Sequence, residues 1–313
     1  MRLLSMSGFV PEQICDVVRF TGYRGEQTIS HYCGYANDFI SQVKNDVKID
    51  GAVFPRSCDS SRIMKSYLED SGKFLYQIHV PARSDEMAVD FFTRELGNYK
   101  QALETWFNTE LSDLEQRIKL VNIRNARIAE AYRSLEELSY GDYLRDIHTC
   151  LQKPLEEQNI NIRGGKRTGG RKRIYLAGSF LANEKIADAI EECGLKIVGD
   201  DLPESGRLQG NLVQSNTGDP VRAIAESILH QRKSPTQDEF YPIMEQDVKQ
   251  IRDLHADGVV FVTQKYCEPY DYFYSVLKKR LDREDIPAVR IQISNSEDDR
   301  KVRLIVEAFA DMI

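Results

Sequence analysis

Three cysteines stand where thiol chemistry is most readily assembled. Residues 257–269 read DGVVFVTQKYCEP: an apolar run, Val259–Val262, gives way to Cys267, Glu268 and Pro269, and then to YDYFYSVLKKRL, which has helical spacing. Residues 50–68, DGAVFPRSCDSSRIMKSYL, place Cys58 and Asp59 at the same handover from buried strand to helix. Cys33, in SHYCGYANDF, precedes a helix expected from about Asn37, with Asn37 or Asp38 as its cap and Gly34 permitting close backbone approach. In open parallel α/β sheets ligands bind beyond the carboxyl ends of the strands. The helix that follows each strand turns its free N–H groups and the positive end of its dipole to that edge, which favours a thiolate or an anionic cluster built on thiolates. Three thiols suit a soft metal or an iron–sulfur cluster better than magnesium or calcium. Cysteine is also a small residue that is often simply buried. Cys15, Cys150 and Cys193, within or at the ends of helical patterns, read as packing residues, and on position alone Cys33, Cys58 and Cys267 leave both readings open.

The elements that must position these residues alternate between strand and helix. In the first part, EQTISHYC is a weak strand candidate; GAVFPR and KFLYQIHVP are clearer ones, with the helix SSRIMKSYLEDSG between them. Such alternation implies βαβ units and a parallel sheet. From Ser84 glycine almost disappears and apolar residues recur every three to four positions, with Ser112 and Glu115 spaced as a capping box ahead of the longest run. NINIRGGKRTGGRK, with four glycines and several cations, reads as a flexible hinge. Alternation then resumes with RIYLAGS, ANEKIADAIEECG, LKIVGDD, helices near 219–231 and 241–256, GVVFVTQ, the helix after Cys267, AVRIQIS, and a last helix from Glu297. The expected organisation is an N-terminal α/β domain (1–83), a helical segment (84–158), a hinge (159–172) and a C-terminal α/β domain (173–313). The matching DGxVF…C[DE] elements, one in each α/β domain, hint at a distant internal duplication.

Composition narrows the function. The chain has 313 residues, room for two ordinary domains. With 42 Lys+Arg against 49 Asp+Glu the net charge is −7, which argues against a nucleic-acid binder. No apolar run approaches the roughly 20 residues of a membrane span. The opening MRLLSMSGFVPEQI lacks the apolar core and small-residue cleavage site of a signal peptide, so the expected location is the cytoplasm. Six cysteines are too sparse for a disulfide scaffold, and with no CxxC pair any metal site must be built from distant parts of the chain.

VPEQICDVVRFTGY, DGAVFPRSCDSSRIM, YQIHVPARS, RIYLAGS, DGVVFVTQKYCEPYDYFYSVLKKRL, IPAVRIQI and RKVRLIVEAFADMI occur in an order that resembles the 2-hydroxyacyl-CoA dehydratase D-component family, which also includes benzoyl-CoA reductase subunits. The resemblance spans nearly the whole chain, and its most specific marks are the SCDSSR and KYCEP turns and the C-terminal helix. It implies two Rossmann/flavodoxin-like parallel-sheet domains joined by a helical segment. A [4Fe–4S] cluster in the inter-domain cleft is implied to be held by Cys33, Cys58 and Cys267. The resemblance also implies a homologous second subunit or a second copy, an ATP-dependent iron–sulfur activator that injects one electron, and an acyl-CoA substrate. The implied reaction is elimination of water from a 2-hydroxyacyl-CoA through a ketyl radical. The alternatives are a benzoyl-CoA reductase-like low-potential reductase subunit and an electron-relay subunit that does not touch substrate. The chain begins close to its PEQI element, so the N-terminal extension usual in the family is expected to be absent. The resemblance assigns no acid or base to any residue.

Other features are weaker. The hinge cations Arg163, Lys166, Arg167, Arg171, Lys172 and Arg173 could meet CoA phosphates, though a solvated linker is the plainer reading. LAGSFLAN lacks GxGxxG, so dinucleotide binding has little support. His31 shares a face with Cys33 and could hydrogen-bond a cluster sulfur, while Tyr266, Tyr270 and Tyr272 are expected to pack the core or shield a cluster from water.

Overall fold

The computed structural model describes residues 1–6, 11–15, 17–19, 29–158, 172–181, 184–237, 240–294 and 299–313. Two four-stranded parallel sheets organise the chain. The first is built from β1 (Leu3–Ser5), β2 (Val17–Arg19), β3 (Gly51–Pro55) and β4 (Phe74–Ile78), in the order β2-β1-β3-β4. The second is built from β5 (Lys172–Gly178), β6 (Leu195–Asp200), β7 (Gly258–Gln264) and β8 (Ala288–Ile293), in the order β6-β5-β7-β8. The two orders are the same: the second strand, then the first, third and fourth. Each sheet therefore reverses its winding between its first and third strands, and at such a reversal the helices diverge and leave a crevice.

Both faces of each sheet are covered, so the central strands are apolar throughout rather than alternating. In β7, Val260 and Val262 enter one core and Val259 and Phe261 the other. In β3, Val53 faces one core and Ala52 and Phe54 the other. The first sheet packs α1 (Gly34–Asn45) and α2 (Asp59–Leu68) on one face. On its other face lie α3 (Glu86–Phe107) and, from far along the chain, α7 (Pro220–His230). The second sheet carries α5 (Tyr140–Leu151), α6 (Lys185–Glu192) and α10 (Asp299–Met312) on one face, and α8 (Phe240–Asp253) and α9 (Glu268–Asp282) on the other. The helical segment is thus spent on both sheets, α3 on the first and α5 on the second, with α4 (Leu114–Arg133) between them in sequence.

The α/β architecture with two parallel sheets is as the sequence implies, and several local expectations change. The described part of EQTISHYC, residues 29–32, is turn rather than strand. Strand β2 lies upstream of that stretch instead. Helix α1 begins three residues earlier than expected, with Cys33 as its N-cap. The Asn37 side chain is one turn inside, where it bonds the amide and carbonyl of Ile29 at 3.0 Å each and so holds the turn that carries Cys33. Ser112 and Glu115 form no capping box: Asp113 is the N-cap of α4, and the Glu115 carboxylate accepts from the Asn216 amide at 3.0 Å. Hinge residues 159–171 lie outside the described residues; Lys172 and Arg173 open β5. Among the described residues no helix is long and apolar enough to cross a membrane.

Candidate functional site: three cysteine caps on one cavity

Each of the three singled-out cysteines is a helix N-cap: Cys33 of α1, Cys58 of α2 and Cys267 of α9. At Cys58 and Cys267 the sequence folds this way because a short apolar strand, β3 or β7, delivers the chain to the sheet edge, and a helix with an acidic residue in its first turn begins soon after. Asp59 and Glu268 supply that acid, and Pro269 fixes the backbone at the start of α9. At the Cys58 turn the Ser61 hydroxyl accepts from the Cys58 amide at 3.0 Å and donates to the Cys58 carbonyl at 2.9 Å. At the other two turns non-glycine residues take the left-handed conformation just upstream, His31 at φ 60° and Tyr266 at φ 65°. Such backbone costs on the order of 1 kcal/mol or more per residue and persists only where its surroundings demand it. Here the two rings meet edge to face with centroids 5.4 Å apart, joining the Cys33 turn to the Cys267 turn.

All three thiols line one cavity of about 150 Å³ between the two sheets, and its wall is mostly apolar. Burial pushes the Cys33 thiol up to about 12, against the amides of Ala36 and Tyr35, and the neighbouring Cys58 adds to the rise. Burial raises Cys267 well above the usual thiol range, and both Cys33 and Cys58 raise it further. The three sulfurs therefore feel one another. Cys15 and Cys150 are buried and Cys193 is half-buried, and none of them lines this cavity; Cys15 lies 3.1 Å from the Tyr99 hydroxyl. Of the tyrosines near Cys267, Tyr270 is buried and lines the cavity, whereas Tyr266 and Tyr272 are exposed.

The profile of the family described as 2-hydroxyglutaryl-CoA dehydratase, D-component, matches residues 2–313. The chain belongs to that family. A benzoyl-CoA reductase subunit of Thauera aromatica is 26% identical over 292 residues, covering 85% of this chain and 74% of the relative. The (R)-phenyllactyl-CoA dehydratase beta subunit of Clostridium sporogenes is 29% identical over 147 residues, covering 45% of this chain and 38% of the relative. The beta subunit of (R)-2-hydroxyglutaryl-CoA dehydratase from Acidaminococcus fermentans is 22% identical over 317 residues, covering 92% and 83%. Each relative is named as a subunit of a larger enzyme.

In this D-component chain another part of the cavity wall comes from the segment after β6. Asp200 folds that segment back on itself: its Oδ1 accepts from the amides of Leu202 at 2.8 Å and Gly206 at 2.7 Å, and its Oδ2 accepts from the Ser205 hydroxyl at 2.7 Å. Asp201 takes a two-point ion pair from Arg207, at 3.0 and 2.6 Å, and a third contact from Arg232 at 2.8 Å. Arg207 also donates to the Tyr270 hydroxyl at 2.7 Å, and Arg232 pairs with Asp247. Both arginines line the cavity. Between Asp201 and Arg207 in the chain, Glu204 lines the same space, its Oε1 accepting from the Leu181 amide at 2.6 Å. Apart from Tyr270, none of these residues stands out in the sequence, because DDLPESGRLQG carries no motif. The signal available is the doubled aspartate at the end of an apolar strand. Arg173, a candidate phosphate contact, is instead committed to the Leu254 carbonyl at 2.8 Å and to Glu136 at 2.5 Å.

Proposed function

We propose that this chain is the iron–sulfur subunit of a 2-hydroxyacyl-CoA dehydratase-like enzyme, a hydro-lyase working with a homologous second subunit and an ATP-dependent iron–sulfur activator. The observation that carries this reading is the convergence of three cysteine N-caps, from three separate turns, on one mostly apolar cavity. The residues fit a [4Fe–4S] cluster. The donor set is three soft thiols, each at the amide end of a helix, where negative charge is favoured. When bound, such a cluster supplies one low-potential electron and, at the iron without a thiolate, a Lewis-acid position.

The chain's own residues do the rest. The apolar wall, with Phe180, Leu208 and Met6, excludes water from a reactive radical; the buried ion pairs of Arg207 and Arg232 hold the wall rigid around the acyl group. The thioester carbonyl, reduced by one electron to a ketyl radical anion, expels the neighbouring hydroxyl, and loss of a proton from the next carbon gives the enoyl-CoA once the electron is released again. A low-potential reductase role has its own support in the 26% identity to the benzoyl-CoA reductase subunit across 85% of the chain. Product analysis separates the two. The complex, activated with ATP under anaerobic conditions, should convert a 2-hydroxyacyl-CoA to enoyl-CoA with no net consumption of reductant. Stoichiometric consumption of reductant with an aryl-CoA, and no enoyl product, would establish the reductase instead.

A further inference from the structure

We propose that Glu204 is the proton donor of this cavity, giving its Oε2 hydrogen to the leaving hydroxyl of the bound acyl group. The inference rests on the dehydratase reading above and deepens it. Glu204 is 3% exposed and lines the cavity that holds the three cysteine caps. One oxygen is spoken for: Oε1 accepts from the Leu181 amide. The other, Oε2, is buried and has no hydrogen-bond partner among the described residues. A buried carboxylate oxygen left bare is costly, and the neutral acid, with a hydrogen to offer a ligand, is the form that suits the place.

The surroundings favour that form on balance. Burial comes first in raising the Glu204 carboxyl to about 8; the Leu181 amide and the residue's own amide pull against it, the Asp200 carboxyl on β6 adds to the rise, and Arg207 opposes it. Arg207 opposes weakly because its charge is neutralised by Asp201 at two points. Tyr35 of α1 and Tyr143 of α5 face the same carboxyl, and each is itself held above the usual phenol range, chiefly by burial. Ser205, next in the chain, is tied to Asp200 and Tyr143, so the carboxyl is carried on a fixed loop rather than a mobile one. An acid that is mostly protonated near neutrality, yet not far above it, is the kind general-acid catalysis uses best.

The place in the fold points the same way. Cys58 and Cys267 follow the third strand of their sheets, and Cys33 lies after the second strand of the first sheet. The position after the second strand of the second sheet holds the Glu204 segment in place of a fourth cysteine turn. The edge that provides a thiol in one half provides an acid in the other.

The chemistry balances. The Oε2–H bond breaks and its proton joins the departing hydroxyl as the carbon–oxygen bond breaks, releasing water. The carboxylate so formed takes the proton lost by the neighbouring carbon, and Glu204 is neutral again. The single electron is borrowed from a low-potential iron–sulfur protein and returned as the enoyl-CoA forms.

Glu204→Gln keeps the size and a donor but cannot pass on a proton. In the assembled complex it should lower kcat at least about a hundredfold with KM for the acyl-CoA little changed. Infrared difference titration of the resting complex should show a protonated-carboxyl band that fades as pH rises through about 8 and is missing in Glu204→Gln. A variant within about threefold of wild type, or one that keeps the band, would overturn the assignment. If the variant does not fold, wild type still decides: its rate must fall with the band, and a rate that stays flat while the band fades overturns the role. Wild type that makes no enoyl-CoA at all marks failure of the dehydratase reading itself, and the donor role to a leaving hydroxyl goes with it.

Discussion

Cys58 and Cys267 occupy one and the same position in two different sheets. Cys58 stands three residues beyond Pro55, the end of β3, and Cys267 three residues beyond Gln264, the end of β7; β3 and β7 are the third strands of sheets with the same order. Each then caps the helix that follows. The repeated DGxVF…C[DE] pattern is thus a repeated piece of topology, and the two halves bring their equivalent thiols to the one cavity they share.

The cavity wall next to Ser179 depends on one glycine. Gly178 ends β5 at φ +138°, and a Cβ there would lie 1.8 Å from the Val262 carbonyl oxygen. The Ser179 amide bonds that same carbonyl at 2.9 Å, so neither strand can move aside without losing the link. Gly178→Ala should cost about 2–3 kcal/mol in denaturant unfolding, from strain and displaced backbone together. Unfolding within about 0.5 kcal/mol of wild type would show that the strand end is free to relax.

Asp201 is the anion that pairs with the buried Arg207 guanidinium at two points and also with the half-buried Arg232, which Asp247 holds as well. Removing one partner of such a cluster leaves charge buried without compensation, at a cost of about 3–5 kcal/mol. Asp201→Asn should therefore unfold at far lower denaturant than wild type. Lys249→Ala, which breaks an exposed pair with Asp253, should move stability by at most about 0.5 kcal/mol. Comparable effects from the two substitutions would contradict the account of the wall.

Glu204 also makes a prediction about stability. A carboxyl whose folded pKa lies above its unfolded one binds its proton more tightly when folded. Its contribution is fully present below the unfolded value, 4.5, and is lost as pH rises through about 8. Glu204→Gln removes that loss. Measured by thermal melts across this window, the variant should gain on wild type as pH rises, by on the order of 5 kcal/mol in all. A stability difference that does not change with pH would mean that Glu204 is not the neutral acid described above.

Much of this is legible in the sequence, and what is hidden is hidden for physical reasons. β3 and β7 announce themselves because a strand covered on both faces is a near-continuous apolar run. β1 and β2 are three residues each, too short for any periodicity to register, so both go unread, and the first sheet stays one strand short even with EQTISHYC standing in for one of them. The Cys33 turn misleads because Asn37, a good cap by type, spends its side chain on the backbone of Ile29 inside the first turn. The packing of α7 on the first sheet, beside α3, is a long-range contact with no local trace. The Glu204 wall is likewise made by tertiary burial: an exposed Glu in the same DDLPES sequence would be an ordinary solvated acid.

The most direct test of the central claim divides the six cysteines. Protein purified anaerobically with its partner subunit should carry about four irons and four acid-labile sulfides per chain. Cys33→Ser, Cys58→Ser and Cys267→Ser should each lose most of that iron, since a neutral hydroxyl is a far poorer ligand than a thiolate. Cys15→Ala, Cys150→Ala and Cys193→Ala should keep it, at a stability cost of about 1–2 kcal/mol where the side chain is buried. Iron retained in the Cys58→Ser or Cys267→Ser protein, or lost on Cys150→Ala, would contradict the assignment of the three caps as the chain's metal-holding residues.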